Sequence, residues 1–304
     1  MTKQIDCTSK SAFIAIIGLP NVGKSTLLNT LVGRKVAIVS DKPQTTRNRI
    51  MGVQTRGDTQ IVFLDTPGAH RPRTRLGDFM VKSIGEAVSG VDAAVLVTDT
   101  LNGIKQDERN LLDQCARQKL PVVLVINKTD TLADKSVLLS KISGRQSEYQ
   151  FSAVVPISAL TGDGMEELNQ ELDAFAFDGP HFFPDDMISD QPERVISAEL
   201  IREKILLFLR DEIPHGIAVV VENMNERQSG QQAILDIEAN IFCERESHKG
   251  IIIGKRGSML QRIGKAARED MESLFGSKVN LQCWIKVKED WRNRQGLMGS
   301  FGYK

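Results

Sequence analysis

Gly18-Leu19-Pro20-Asn21-Val22-Gly23-Lys24-Ser25 stands between an apolar run, Ala12 to Ile17, and a segment of helical period that begins at Lys24. Strand, glycine-containing turn and helix start, in that order, form a phosphate-binding loop. Its glycines let the backbone of Asn21, Val22, Gly23 and onward to Thr26 curl so that successive N–H groups face one anion, at a helix N-terminus that already favours negative charge. Lys24 then reaches β- and γ-phosphate oxygens, and Ser25 offers a hydroxyl to Mg²⁺, which prefers hard oxygen ligands.

Outward from that loop, the apolar runs Ile61 to Leu64, Ala93 to Thr98, Val122 to Ile126 and Val154 to Ile157 alternate with helical segments. This pattern predicts an α/β domain with a mostly parallel sheet and helices on both faces. Asp65-Thr66-Pro67-Gly68 follows the second run, which sets Asp65 at a strand's C-terminal end, where it holds Mg²⁺ through water while the Gly68 N–H meets a γ-phosphate. Asn127-Lys128-Thr129-Asp130 follows the fourth run. The Asp130 carboxylate accepts two hydrogen bonds from guanine's ring N–H and exocyclic amine, a donor pair that adenine lacks. The site is therefore expected to take GTP and GDP rather than adenine nucleotides. Ser158-Ala159-Leu160 adds a backbone N–H for the guanine carbonyl.

Between the phosphate loop and Asp65 lies Lys42-Pro43-Gln44-Thr45-Thr46-Arg47, a polar loop suited to closing over γ-phosphate and Mg²⁺. Thr46 is the chosen ligand and Thr45 its competitor. Lys24, Thr46 and Gly68 are the candidate catalytic groups. Ala69 stands after Gly68, where many small GTPases carry a glutamine that orients the attacking water. Hydrolysis is expected to be slow and aided by backbone groups, with a K⁺ ion near Asn21 as a candidate helper; His70 and Arg71 are read as solvated neighbours.

The alternating pattern stops near Phe177, and Asp178-Gly179-Pro180 with Pro184-Asp185-Asp186 reads as a linker over 178–192. This leaves a nucleotide domain over 1–177, an α+β unit over 193–290 and a tail over 291–304. In the α+β unit, Gly254-Lys255-Arg256-Gly257 has the spacing of the loop with which KH domains clamp a nucleic-acid backbone. Gly296 with Gly299, and Gly299 with Gly302, match the spacing equally, but in an unstructured-looking tail. Around the first pair, Ile251 to Ile253 precede the loop and Met259, Leu260, Ile263, Ala267, Met271 and Leu274 follow at helical period. Lys255 and Arg256 supply charge, with Arg262 and Lys265 on the polar side of the next helix. From Lys249 to Lys304 there are twelve Lys or Arg against five Asp or Glu. Trp284, in an alternating strand, reads as core, whereas Trp291 is open to stacking on a base.

Over the 304 residues, Lys plus Arg and Asp plus Glu balance at 39 each, which removes any chain-wide pull towards nucleic acid or membrane and leaves only that basic end. Cys7, Cys115, Cys243 and Cys283 have neither paired nor metal-like spacing, and no stretch approaches a membrane span, so a reducing cytoplasm is expected.

Together these boxes resemble the Era family of bacterial ribosome-assembly GTPases, a P-loop GTPase domain followed by a type II KH domain. Pro20 to Asn29, Lys42 to Arg47, Glu212-Ile213-Pro214-His215, Glu244 to Ser247 and Lys249 to Lys255 carry that likeness, and Leu19 and Ala69 depart from it. The resemblance implies a monomer that binds near the 3′ end of 16S ribosomal RNA through the Gly254 to Gly257 loop and assists small ribosomal subunit maturation. It also implies a GTP-dependent change of domain arrangement and peripheral association with the inner membrane. The competing reading is a GTPase whose C-terminal unit docks a protein or membrane partner.

Overall fold

A computed structural model describes residues 9–42, 45–69, 74–100, 104–133, 142, 144, 149–209, 216–230 and 232–303. Readings that rest on Cys7, Pro43, Gln44, His70, Arg71 and 212–215 lie outside the described residues. Two compact units separate: Met1–Ala37 with Thr46–Arg71 and Met80–Asp190, and Ile38–Thr45 with Pro72–Phe79 and Gln191–Lys304.

The first unit is built around β1 (Lys10–Gly18). Ala12, Ile14 and Ile16 join Leu27, Leu28 and Leu31 of α1 (Lys24–Val32) and Leu168 and Leu172 of α4 (Met165–Asp173). The intervening Ala15 and Ile17 join Ile84 and Val88 of α2 (Arg75–Val88) and Leu111, Leu112 and Cys115 of α3 (Gln106–Arg117). Apolar side chains on both faces of one strand demand a helical layer on each side. The sheet runs β2 (Ile50–Arg56), β3 (Thr59–Asp65), β1, β4 (Ala93–Asp99), β5 (Val122–Asn127), β6 (Ala153–Pro156). All neighbours are parallel except β2 on β3. The parallel strands therefore bring Gly18, Asp65, Asp99 and Asn127 to one edge, where ligands of such sheets bind.

Two features depart from the sequence reading. Strand β2 is a half-polar antiparallel edge strand, IMGVQTR, whose Thr, Gln and Arg dilute the apolar signal. The segment read as a linker from 178 belongs to the first unit as far as Asp190. β7 (Phe177–Asp178) pairs with Lys10 and Ser11. Beyond it, Gln60 exchanges two 2.9 Å bonds with the Phe183 backbone, and the Val53 N–H donates to the Ile188 carbonyl at 2.9 Å. Pro and Gly suppress any period there, and pairing with distant residues holds the segment in place.

The second unit comprises α5 (Glu193–Phe208), the hairpin β8 (Ala218–Ser229) and β9 (Gln232–Cys243), α6 (Glu246–Ile253), α7 (Ser258–Phe275) and β10 (Lys278–Val287). Its sheet runs β10-β9-β8, with β10 parallel to β9 in register from Lys278 opposite Ile234 to Val287 opposite Cys243. Helices α5 and α7 cover one face: Ile201 and Ile205 of α5 and Ile263, Ala267 and Met271 of α7 pack on Ile237, Ala239 and Ile241. Within this unit, the Val39 N–H donates to Glu203 at 2.9 Å, and the buried Arg202 guanidinium bonds Glu199 and the Thr45 carbonyl.

The tail is structured, contrary to its sparse apolar pattern. A 3₁₀ turn (Trp291–Asn293) leads to α8 (Gln295–Ser300), so Gly296 and Gly299 lie in a short helix rather than in a loop. Trp291 is 0 % exposed, donates Nε1–H to the Gly216 carbonyl at 2.9 Å, and stacks on Tyr303 with centroids 5.7 Å apart. Phe301 meets both Trp291 and Phe242. Trp291 is thus core, and Trp284 is the exposed one, at 45 %. Trp291→Ala is expected to lower stability by about 3–5 kcal/mol, read as a lower urea midpoint by circular dichroism. A loss under about 0.5 kcal/mol contradicts a packed tail.

Candidate nucleotide and RNA sites

Gly18, Asn21 and Gly23 adopt positive φ, which bends the chain between β1 and α1. A Cβ on Gly18 would strike the Val97 carbonyl, and one on Gly23 the side-chain amide of Asn127. Gly23 caps α1 with no side-chain hydrogen bond, so its first N–H groups, with Thr26 in the first turn, are presented to an anion rather than to a protein cap. Lys24 is buried and donates to the Leu19 carbonyl of the same loop at 2.9 Å. Burial pulls its ammonium pKa down to about 8, against the opposing pull of the Asp65 and Glu108 carboxylates.

Three oxygens from separate elements meet beside it. Ser25 Oγ lies 2.8 Å from Thr46 Oγ1 and donates to Asp65 Oδ2 at 2.7 Å, with Thr46 Oγ1 3.5 Å from the same oxygen. Asp65 is fully buried, and that burial pushes its pKa up to about 6 despite Lys24 nearby. Its Oδ1 is buried with no hydrogen-bond partner. One under-satisfied carboxylate and two hydroxyls match the hard donors of a Mg²⁺ ion that keeps several waters. The Thr45 hydroxyl instead donates to the Lys42 carbonyl at 2.6 Å. Gly68 lies against the loop, where a Cβ would overlap the Pro20 backbone, and the Ala69 N–H donates to the Gly18 carbonyl at 3.1 Å. Ala69 itself is buried in the core with Ile84 and Leu111.

At the other end, Asn127 ties two loops together: its Nδ2 donates to the Val22 carbonyl at 2.9 Å, and its Oδ1 accepts the Ala159 N–H at 2.9 Å. Lys128, at φ 66°, donates to the Asn21 carbonyl at 2.6 Å. Asp130 is exposed, and one of its oxygens accepts the Ser158 hydroxyl at 2.6 Å. The Ser158 N–H donates to the Asp163 carbonyl. Two of the three amides of the tripeptide expected to offer an N–H to the guanine carbonyl are therefore engaged within the protein, while the Ser158 hydroxyl braces Asp130 and the Ala159 N–H braces Asn127. Sequence reasoning missed Thr30, which bonds the Ala159 carbonyl at 2.7 Å, and Glu108 near Lys24; neither belongs to a short motif.

In the second unit, α6 and α7 are joined through Gly254 to Gly257. A Cβ on Gly254 would overlap Met259, while Gly257 faces open space and is required by its φ of 82°. Lys255 and Arg256 are exposed. A groove of about 680 Å³ runs from Gly257 along α7, with Arg262, Lys265 and Arg268 on the helix and Leu281 and Cys283 on β10 opposite. Arg262 also lies 4.2 Å over the Phe208 ring, and Lys265 is 3.9 Å from Glu269. Burial pushes the Cys283 thiol up to about 12, so it is a neutral, apolar wall. Leu281, Cys283 and Arg268 were not singled out in the sequence; the alternation of β10 was the available signal.

Two family descriptions match the chain: 50S ribosome-binding GTPase over residues 13–128 and KH domain over residues 212–292. The GTPase Era of Clostridioides difficile (strain 630) is 52% identical over 294 residues, spanning 97% of this chain and 98% of that protein. The GTPase Era of Ruminiclostridium cellulolyticum is 47% identical over 295 residues, spanning 97% and 98%. Among solved structures, Era in complex with MgGDPNP and nucleotides 1506–1542 of 16S ribosomal RNA superposes with a TM-score of 0.93 at 38% identity, covering 97% of this chain and 99% of that one. A single-residue variant of Aquifex aeolicus Era bound to GDP·AlF₄⁻ gives the same TM-score, identity and coverage. With the phosphate loop, the Asn127 to Asp130 box and the Gly254 to Gly257 loop in one chain, and about half its residues shared with these relatives along nearly its whole length, the chain belongs to the Era family of GTPases.

Proposed function

We propose that this GTPase is an RNA-binding switch that grips a single-stranded stretch near the 3′ end of 16S ribosomal RNA and releases it as GTP is hydrolysed, during maturation of the small ribosomal subunit in the cytoplasm. The observation that carries the reading is the meeting of Ser25, Thr46 and Asp65 at the phosphate loop of a chain that also holds the Gly254 to Gly257 groove. A solved relative holds MgGDPNP and nucleotides 1506–1542 of 16S ribosomal RNA together, which favours RNA over a protein or membrane partner for the second unit. Among the described residues, no helix is long and apolar enough to cross a membrane.

In this reading the loop amides and Lys24 hold the β- and γ-phosphates. Bound Mg²⁺, carried by Ser25, Thr46 and, through water, Asp65, would neutralise charge developing on the phosphate oxygens. Gly68 presents its N–H to the γ-phosphate. Asp130 reads guanine, and Asn127 and Lys128 brace the loops around it. Ala69 brings no polar side chain to the attacking water, so backbone groups and a K⁺ ion near Asn21 are left to orient it, and turnover is slow. Thr46 follows directly on Ile38–Thr45, which cluster with the second unit, so movement of Thr46 with the γ-phosphate is passed along the chain itself. Lys255 and Arg256 meet RNA phosphates, while Leu281 and Cys283 offer an apolar wall to bases.

Removing the charged acceptor should weaken GTP binding by about 10- to 150-fold in Asp130→Asn and improve binding of xanthosine triphosphate, which supplies the complementary pattern. Equal weakening of both nucleotides, in a fluorescence titration, means that Asp130 does not read the base. Burial raises the Asp65 carboxyl to about 6 and lowers the Lys24 ammonium to about 8. Asp65 must lose its proton and Lys24 must keep its own, so affinity for Mg²⁺·GDP should fall below pH about 6 and again above pH about 8. A level profile between those limits and beyond them contradicts the assignment. Gly257→Asp sets bulk and negative charge against the RNA phosphates and should weaken RNA binding at least tenfold, flattening its salt dependence by about 0.7 for each phosphate that is no longer neutralised. Unchanged RNA affinity by filter binding would remove the groove from the mechanism.

A further inference from the structure

Strand β10 is an edge of its three-stranded sheet and, among the described residues, pairs with β9 alone. Its residues alternate between two environments. Leu281 and Cys283 face the helices and wall the RNA groove. Asn280, Gln282, Trp284 and Lys286 alternate with them and are exposed, on the face opposite α5 and α7. Trp284 stands out among them: it is 45 % exposed, whereas the other tryptophan, Trp291, is 0 % exposed.

The surroundings of Trp284 form a rim rather than a lid. Trp284 stands opposite Asn240 in the β9 register, and Asn240 donates to Glu222 at 2.6 Å. Asn280 donates to Asp236 at 2.7 Å, and Asp236 also pairs with Arg227 at 2.5 Å. Carboxylates on this face are therefore engaged by neighbouring amides or a guanidinium. Farther along, Phe242 is covered by Phe301. The tail's aromatics thus roof one end of the sheet face and leave the indole of Trp284 open.

Charge selects the partner. From Lys278 to Lys288 the chain carries three lysines and no Asp or Glu, and it adjoins a groove already lined by Arg262, Lys265 and Arg268. A flat aromatic ring beside lysines and amides is a platform on which a base stacks and a phosphate finds a counter-charge. Adjacent strands lie about 4.8 Å apart, so one edge strand is a narrow wall for a polynucleotide to cross. We propose that single-stranded RNA leaving the groove folds over the edge strand β10 and stacks a further base on Trp284, making the outer face of the KH sheet a second RNA contact. The proposal rests on the groove reading above and extends the footprint beyond the roughly four nucleotides that such a loop clamps.

Because Trp291 is buried and shielded from a bound base, the change in intrinsic fluorescence on adding RNA reports chiefly on Trp284, and the Trp284→Phe variant supplies the Trp291 background. The full chain is titrated with a synthetic RNA of nucleotides 1506–1542, and with versions shortened stepwise from each end, in wild type, Trp284→Ala, Trp284→Phe and Gly257→Asp. RNA should quench the wild-type emission. Trp284→Ala should bind the full segment about 5- to 150-fold more weakly, the equivalent of one stacked base, and Trp284→Phe should restore most of that. Shortening from one end should abolish the quench and the wild-type advantage together while leaving groove binding intact. Gly257→Asp should lose both, which separates the two contacts. Trp284→Ala binding as tightly as wild type, with Gly257→Asp still defective, overturns the second contact alone and gives this face to another partner. Wild type that fails to bind any of these RNAs overturns the groove reading and this proposal with it. Circular dichroism of the Trp284 variants guards against misfolding, and Trp284→Phe carries the test should the alanine variant unfold.

Discussion

A buried carboxylate with an oxygen left over is the constraint on which the GTPase unit turns. Asp65 sits at the end of β3 with no exposure, one oxygen shared by two hydroxyls and the other without a hydrogen-bond partner. Burying a carboxylate so incompletely satisfied is costly unless a cation compensates it. Lys24 supplies part of that compensation through charge, and the donors left over fit a hard divalent ion. The same demand explains why Thr46 turns inward, why Ser25 opens a helix, and why Lys24 is held beside carboxylates in spite of burial that pulls its pKa down. Parallel β1 and β3 deliver Lys24, Ser25 and Asp65 to one edge, and β5 brings Asn127 to the same edge, so the sheet's topology and the site's chemistry are one fact seen at two scales.

The second unit solves a different problem, how to approach a polyanion closely. Two glycines remove side chains at the turn for separate reasons, steric at Gly254 and conformational at Gly257. The groove behind them is basic on its helical wall and apolar on its strand wall. Under the proposed function, backbone contacts there fix position and the apolar wall is left to the bases. The chain is neutral as a whole, yet its basic residues are gathered at this end.

Much of this was legible in the residues, and what was hidden shares one physical property. Short runs such as Ile61 to Leu64 declare a buried parallel strand, and boxes at strand ends declare a nucleotide. The half-polar β2 did not declare itself, because an edge strand needs only one buried face. The stretch from 178 to 190 read as a linker because its order comes from Gln60 and Val53, far away in sequence. Trp291 is buried by Gly216, Phe301 and Tyr303, which no local period connects to it. Trp284 reads as core in the sequence yet is exposed, and the signal for that exposure was local: Asn280, Gln282 and Lys286 share its face. The engagement of the Ser158 and Ala159 amides also depends on partners that a motif does not contain.

The central claim is that occupancy of the strand-end site by nucleotide and Mg²⁺ sets the affinity of the groove for RNA. It is tested most directly by the dissociation constant of the full chain for the 1506–1542 RNA segment, measured at one salt concentration with GDP and again with a non-hydrolysable GTP analogue. The account predicts tighter binding with the analogue by about fivefold or more, a coupling of roughly 1 kcal/mol. Identical constants in the two states would show a GTPase and an RNA clip that share a chain without communicating, and would contradict it.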